Sequence, residues 1–146
     1  MKINKTNLKI LINKFLCLIG NLYSNTYGKL NLCNVVYIVE KKNWSIFCDG
    51  MEISQEINKK IRKNFCEVST RPYMFNNKII HFGSQYMWID WYKYLPKTNK
   101  YVVNFYHGKH EDGLEVAKHI DEFLISVTNI DIILTASSLV MKRLIK

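Results

Sequence analysis

Between Asn34 and Thr135, short apolar runs alternate with segments of helical period, and this alternation constrains the fold more than any other feature of the chain. NVVYIV, Asn34 to Val39, is β-branched and apolar on both faces, as a strand covered on both sides of a parallel sheet must be. CEVST (Cys66 to Thr70), KIIHFGS (Lys78 to Ser84), KYVVNFYHG (Lys100 to Gly108) and DIILT (Asp131 to Thr135) supply four further strands. A charged loop, EKKNW, follows the first strand, and a helix is expected from about Ser54 to Lys63 with Ser54 as its N-cap. Arg71-Pro72 makes a turn. QYMWIDWYKYL, Gln85 to Leu95, reads as an aromatic helix stopped at Pro96. The next helix starts near Asp112 and lines up Val116, Ala117, Ile120, Phe123, Leu124 and Val127 on one face, and Ser137 or Ser138 caps a last one. Strand and helix in that order predict right-handed crossovers and an α/β, Rossmann-like open parallel sheet with helices on both faces.

An amphipathic helix precedes this unit. From Thr6 to Tyr23, Leu8, Leu11, Ile12, Phe15, Leu16, Ile19 and Tyr23 recur at helical spacing, while Lys5, Lys9, Asn13 and Lys14 face away. Such a helix either packs on its own domain or lies on an anionic membrane surface. SNTYGKLN then forms a loop. The chain therefore divides into a basic helix and loop over residues 1–33 and the α/β unit over 34–146.

The charge follows this division. Residues 1–34 hold five lysines and no acid, whereas residues 113–146 hold four bases and four acids, out of a net +9. No apolar run reaches the roughly 18 to 20 residues of a membrane span, and lysine and asparagine interrupt the N-terminal pattern where a signal peptide would be apolar. A 48% apolar and 13% aromatic composition excludes disorder. Cys17, Cys33, Cys48 and Cys66 form no CxxC pair, so reduced thiols are expected rather than a zinc or redox centre.

In an open parallel sheet the ligand crevice lies beyond the carboxyl ends of the strands. Lys41, Lys42, Asn43 and Trp44 stand there after the first strand, His81 to Ser84 after the third, His107 and Gly108 after the fourth, and Ser137 and Ser138 after the fifth. Neither GxGxxG nor GxSxG is present, which disfavours a dinucleotide-dependent dehydrogenase and a triad hydrolase. His107 and His110 are three apart, but Gly108 sits in a turn, so no metal is expected. Glu111 and Asp112 suit the start of the following helix. His81 reads as a strand-end residue without chemistry. Trp88, Trp91, Tyr92 and Tyr94 read as core, with stacking on sugars or bases as the alternative.

KIIHFGSQYMWIDW, VVNFYHGKHEDGLEVAKHIDEFL and DIILTASSLVMKRLI resemble the N-terminal half of GT-B glycosyltransferases of retaining family four, over Asn34 to Lys146. The resemblance implies an acceptor-side domain that moves a sugar from a nucleotide sugar to a membrane-associated glycan, in surface polysaccharide biosynthesis. It gives His107 the catalytic position at the cleft and lets substrate approach the backbone at Gly108. It places a further substrate contact at Ser137 or Ser138. Lys109, Gly83, Ser84, Lys42 and Asn43, by their place at or beside the strand ends, are the other candidate substrate contacts, and Lys41 or Lys42 can neutralise phosphate in the loop where the family has a glycine-rich turn. Here that loop is EKKNWSIFCDG, and Gly50 stands too far along to replace the turn. The donor-binding C-terminal domain, with its Glu-x7-Glu motif, is expected outside these residues, and the domain alone is expected to be catalytically silent. The partners implied are the nucleotide sugar and a glycan or lipid-linked acceptor, to which the basic amphipathic helix adds a peripheral membrane contact through residues 1–24. No metal, cofactor or nucleic acid enters, and the location implied is cytoplasmic, at the inner face of the membrane. A basic nucleic-acid-binding module without catalysis is the alternative from a different class.

Overall fold

The computed structural model describes residues 5–27, 33–106 and 114–135. Its centre is one sheet of five strands: β1 (Val35–Ile38), β2 (Cys66–Ser69), β3 (Ile79–Phe82), β4 (Lys100–Phe105) and β5 (Ile132–Thr135). They lie in the order β2-β1-β3-β4-β5 and every neighbouring pair is parallel. The chain moves outward from β1 to β2, returns past β1 to β3 and continues to β5, so the order reverses between β1 and β3. The expected α/β, Rossmann-like open parallel sheet is the fold of the protein.

The pleat sorts side chains by face. Val36 pairs with Ile80, Ile80 with Tyr101, and Phe82 with both Ile38 and Val103, which with Phe105 makes one face apolar and buried. Helices α3 (Gln85–Trp91) and α4 (Leu114–Ser126) cover it with Met87, Trp88 and Phe123. Trp88 is fully buried, edge-on to Phe82 at 5.4 Å, and its indole N–H donates to Ser126 Oγ at 2.8 Å. Ser126 Oγ in turn donates to the Phe123 carbonyl at 2.7 Å, so the indole is satisfied inside the core. Leu124, placed by its spacing on the packed face of this helix, is exposed instead.

Helix α2 (Ser45–Lys60) covers β1 and β2 on the opposite face. It starts nine residues earlier than the sequence suggests, because Trp44 stands at its N-cap without a side-chain hydrogen bond and so carries no start signal. Ser54 is accordingly not a cap. It is buried in mid-helix, where its hydroxyl donates to the Cys66 carbonyl at 2.8 Å. Asn58 adds two bonds of 2.8 Å, from its amide nitrogen to the Cys66 carbonyl and from the Cys66 N–H to its side-chain oxygen, which pin α2 to β2. Gly50 lies inside the helix because the Tyr37 ring needs its space: a Cβ there would come within 2.6 Å of the ring. A 3₁₀ turn, Pro72–Met74, occupies the connection from β2 to β3, and α3 ends at Trp91, short of Leu95. The helix expected after Thr135 lies outside the described residues.

Helix α1 (Lys5–Tyr27) packs against the 3₁₀ turn and α3 through a narrow seam. A Cβ on Gly20 would overlap the Tyr73 carbonyl oxygen, Cys17 is buried, and the Asn13 amide donates to the Asp90 carbonyl at 3.4 Å. Asn13, expected on the outward face, thus points inward. Small and polar residues make the contact because only they let the helix backbone approach the turn this closely.

Gly50→Ala tests the Tyr37 wedge. Alanine gains about 0.8–1.0 kcal/mol of helix propensity over glycine, whereas overpacking costs about 1–3 kcal/mol. The expected net is a loss of about 1 kcal/mol, read as a melting temperature lower by about 2–4 °C in circular dichroism. A raised melting temperature would show that the ring moves aside freely.

Candidate functional site

The carboxyl ends of β1 and β3 meet where the strand order reverses, the place at which doubly wound sheets bind ligands. A groove of about 200 Å³ lies there, between the end of β1 and α3, lined by Val39, Glu40, Thr70, Tyr86, Asp90 and Trp91 among others. Two carboxylates and two aromatic side chains therefore share one concavity. Asp90 is held at 2.6 Å by Lys9 of α1, an exposed ion pair, and Tyr86 stacks on His119 with ring centres 3.9 Å apart. A second cleft of about 360 Å³ shares Val39 and Thr70 with the groove and extends along the β2 side, where Lys42, Arg71 and Lys78 set a basic lining around Glu67. Lys78 precedes β3 at the amino end, where its ammonium donates to the Cys33 carbonyl, so at the carboxyl edge the groove adjoins a basic rim of Lys42 and Arg71.

The residues singled out from sequence occupy varied settings. Ser84 is buried as the N-cap of α3, its hydroxyl accepting from the Tyr86 N–H at 3.2 Å. Gly83 is buried too; its N–H donates to the Ile38 carbonyl at 3.0 Å, and a Cβ would meet Ile46 at 2.5 Å and the Tyr37 ring at 2.9 Å. Its missing side chain thus makes room for Tyr37. Lys42 and Asn43 are exposed in the turn after β1, with Asn43 in the left-handed region at φ 70° and Lys42 at the rim of the basic cleft. Lys41 lies over the Trp44 ring at 5.1 Å. Trp88 belongs to the core, while Trp91 reaches the groove. His107, Gly108, Lys109, Ser137 and Ser138 lie outside the described residues. Tyr106, just before His107, donates its N–H to Gln85 Oε1 at 3.3 Å.

His81, read as a strand-end residue without chemistry, joins a polar network on the α2 face of the sheet. Its Nε2 lies 2.8 Å from Asn104 Oδ1, and the Asn104 amide nitrogen donates to the Tyr106 hydroxyl at 2.7 Å and reaches the Tyr37 hydroxyl at 3.5 Å. The Tyr37 and His81 rings meet edge to face at 4.6 Å. With Asn104 Oδ1 accepting, neutral His81 carries its proton on Nε2. Burial pulls the His81 pKa below its usual value, opposed by the Asn104 hydrogen bond. Burial, aided by Tyr106 and Asp49, pushes the Tyr37 hydroxyl well above the usual tyrosine range. The signal for this network was Asn104, a lone amide inside the apolar run VVNFY. Glu40 and Asp90 gave no such signal, since a charged residue at a strand or helix end is ordinary surface.

Cys17, Cys33 and Cys66 are buried, and Cys48 is exposed. The four cysteines are free, and burial pushes Cys17 to about 11 and Cys33 to about 12, so both stay protonated at neutral pH. Among the described residues no three His, Cys, Asp or Glu converge as metal ligands. The chain matches no family model, no curated protein and no solved structure.

His81 makes stability depend on pH in one direction. Its native pKa lies below the 6.5 of a free imidazole, so the unfolded chain takes up the proton first as pH falls. Stability is full above about pH 6.5 and declines from there until the lower native pKa is passed. His81→Gln keeps a donor toward Asn104 and cannot titrate. The wild type is therefore expected to lose more melting temperature than this variant between about pH 7 and pH 5; equal losses would show that His81 titrates alike in both states.

Proposed function

We propose that this chain is the acceptor-side domain of a glycosyltransferase, which in the complete enzyme moves a sugar from a nucleotide-sugar donor to a membrane-associated glycan in surface polysaccharide biosynthesis. The observation that carries the reading is the groove at the β1/β3 reversal, where Glu40, Asp90, Tyr86 and Trp91 come together. Carboxylates accept hydrogen bonds from several hydroxyls at once, and aromatic side chains cover the apolar C–H surface of a sugar ring. Such a lining suits a polyhydroxylated acceptor. Glu40 disfavours a phosphodiester backbone in the groove, where Asp90 is balanced by Lys9, so the lining favours a sugar over the nucleic-acid alternative despite the net charge of +9.

The division of labour follows from the charges. The acceptor sits at the acidic groove, and the basic cleft edged by Lys42 and Arg71 takes the phosphate side of the reaction. In the proposed enzyme His107 takes the catalytic role, Gly108, Lys109, Ser137 and Ser138 contact substrate, and Lys42 and Asn43 serve the donor side. Catalysis is then positioning and charge stabilisation between two domains, the second of which binds the nucleotide. The reading calls for no metal or organic cofactor, and it places the enzyme in the cytoplasm at the inner face of the membrane.

Saturation-transfer NMR with octyl β-glucoside, octyl β-galactoside and octyl N-acetylglucosaminide tests it. At least one glycoside is expected to receive saturation through its ring protons. Glu40→Ala, an exposed position, is expected to weaken that binding roughly fivefold or more while leaving the melting temperature unchanged. No transfer to any of the three, with salt-sensitive retention of oligothymidylate, would replace the transferase with a nucleic-acid-binding module.

A further inference from the structure

Helix α1 turns its apolar side away from the protein. Leu11 is 65% exposed, Phe15 61%, Leu18 59% and Leu22 61%, and Leu8, Ile12 and Ile19 beside them are exposed as well. These positions recur every three or four residues and form one continuous stripe along the helix. A helix that packs on a globular domain does the opposite, burying its stripe and showing its polar side. Here the polar and small side, Asn13, Cys17 and Gly20, is the one that docks. A contiguous apolar patch of this kind marks an interaction surface.

The charges around the stripe identify what covers it. At about 100° per residue, Lys14 stands about 100° to one side of Phe15 and Lys9 about 120° to the other, so a lysine borders the stripe on each flank. Residues 1–34 contain five lysines and no acid. A second copy laid along the stripe would bring lysine rows together with no carboxylate on α1 between them. An anionic bilayer surface instead offers acyl chains to the stripe and headgroup phosphates to the flanking lysines, which reach them by extending from the helix. The apolar arc also takes in Ile12 and Ile19, wider than the two-position seam of a coiled coil. No helix among the described residues is long and apolar enough to cross a membrane. Helix α1 therefore lies on a surface rather than through one.

We infer that α1 is an in-plane lipid anchor: it rests its Leu11–Phe15–Leu18–Leu22 stripe on the acyl boundary of an anionic bilayer and holds the α/β domain there through its Asn13–Cys17–Gly20 seam. This inference stands on α1 alone. A corollary rests on the transferase reading: because Lys9 holds Asp90, and Asp90 lines the groove, lipid contact by α1 brings the acceptor groove beside the bilayer.

Cosedimentation of the whole chain with vesicles decides it. Vesicles of phosphatidylcholine with roughly one-third phosphatidylglycerol are expected to retain the protein, and phosphatidylcholine alone to retain much less. Phe15→Glu and Leu18→Glu each remove one exposed anchor and are each expected to weaken binding about tenfold. Their circular dichroism and melting temperature should match the wild type, since both side chains already face solvent. Lys14→Glu is expected to lower binding to the anionic vesicles only. Retention unaffected by Phe15→Glu and Leu18→Glu would overturn the anchor. So would a lipid-free dimer in size-exclusion chromatography that Leu18→Glu converts to monomer, because the stripe would then belong to a second copy. Loss of lipid binding in the variants with unchanged glycoside binding separates this inference from the transferase reading.

Discussion

The pairing of β1 with β3 sets everything else in place. Ile79 N–H donates to the Asn34 carbonyl at one end of the pair and Gly83 N–H to the Ile38 carbonyl at the other, so the register is fixed from end to end. In that register Val36 and Ile38 stand beside Ile80 and Phe82 on the core face, and Tyr37 stands beside His81 on the other. A slip of one residue would exchange the faces, exposing Phe82 and Ile80 and driving His81 under Trp88. Because the sheet is parallel and turns back at this pair, a groove opens at its carboxyl edge between the end of β1 and α3. The fold and the location of the groove thus follow from one set of hydrogen bonds.

Tyr37 couples that pair to α2. Its ring fills the space left by Gly50 on the helix and Gly83 on the strand end, and its hydroxyl approaches Asn104. The two glycines belong to one packing device even though they lie 33 residues apart in the sequence. Beyond α2's reach the same sheet face changes character: Ile79, Ile132 and Leu134 are exposed there, and the Asn104 network is only partly buried. The neutral state of His81 comes from this half-covered position, shielded by Tyr37 on one side and bonded to Asn104 on the other.

The sheet was legible in the sequence because buried parallel strands demand apolar residues on both faces, which NVVYIV and KYVVNF supply without ambiguity. The start of α2 was not legible. Trp44 gives no capping signal, Gly50 looks like a loop residue, and Ser54 looks like a cap, although the last two serve tertiary contacts with Tyr37 and Cys66. Periodicity located α1, yet it could not tell which side would dock. That choice depended on Gly20 fitting against the Tyr73 carbonyl, a contact between residues 53 apart in the chain. For the site, the sequence pointed to the carboxyl edge of the sheet, where the groove beside β1 also lies. It singled out Gly83 and Ser84, which the structure shows engaged with Tyr37 and the cap of α3, and it passed over Glu40 and Asp90, whose nearness arises only when α3 folds back over the end of β1.

The charge of the chain is uneven: residues 1–34 hold five lysines and no acid, while the groove between the end of β1 and α3 carries Glu40 and Asp90. The two roles proposed above ask for this division, since hydroxyl groups call for hydrogen-bond acceptors and anionic lipid calls for cations. The Lys9–Asp90 pair and the Asn13 contact to the Asp90 carbonyl join helix and groove at a single residue of α3. Asp90 therefore stands at the joint between α1 and the groove: its carboxylate balances Lys9, and its carbonyl accepts from the Asn13 amide. An exposed ion pair of this kind adds little to stability. The close fit of Gly20 against Tyr73 decides which side of α1 docks, and the ion pair forms within the orientation that this fit sets.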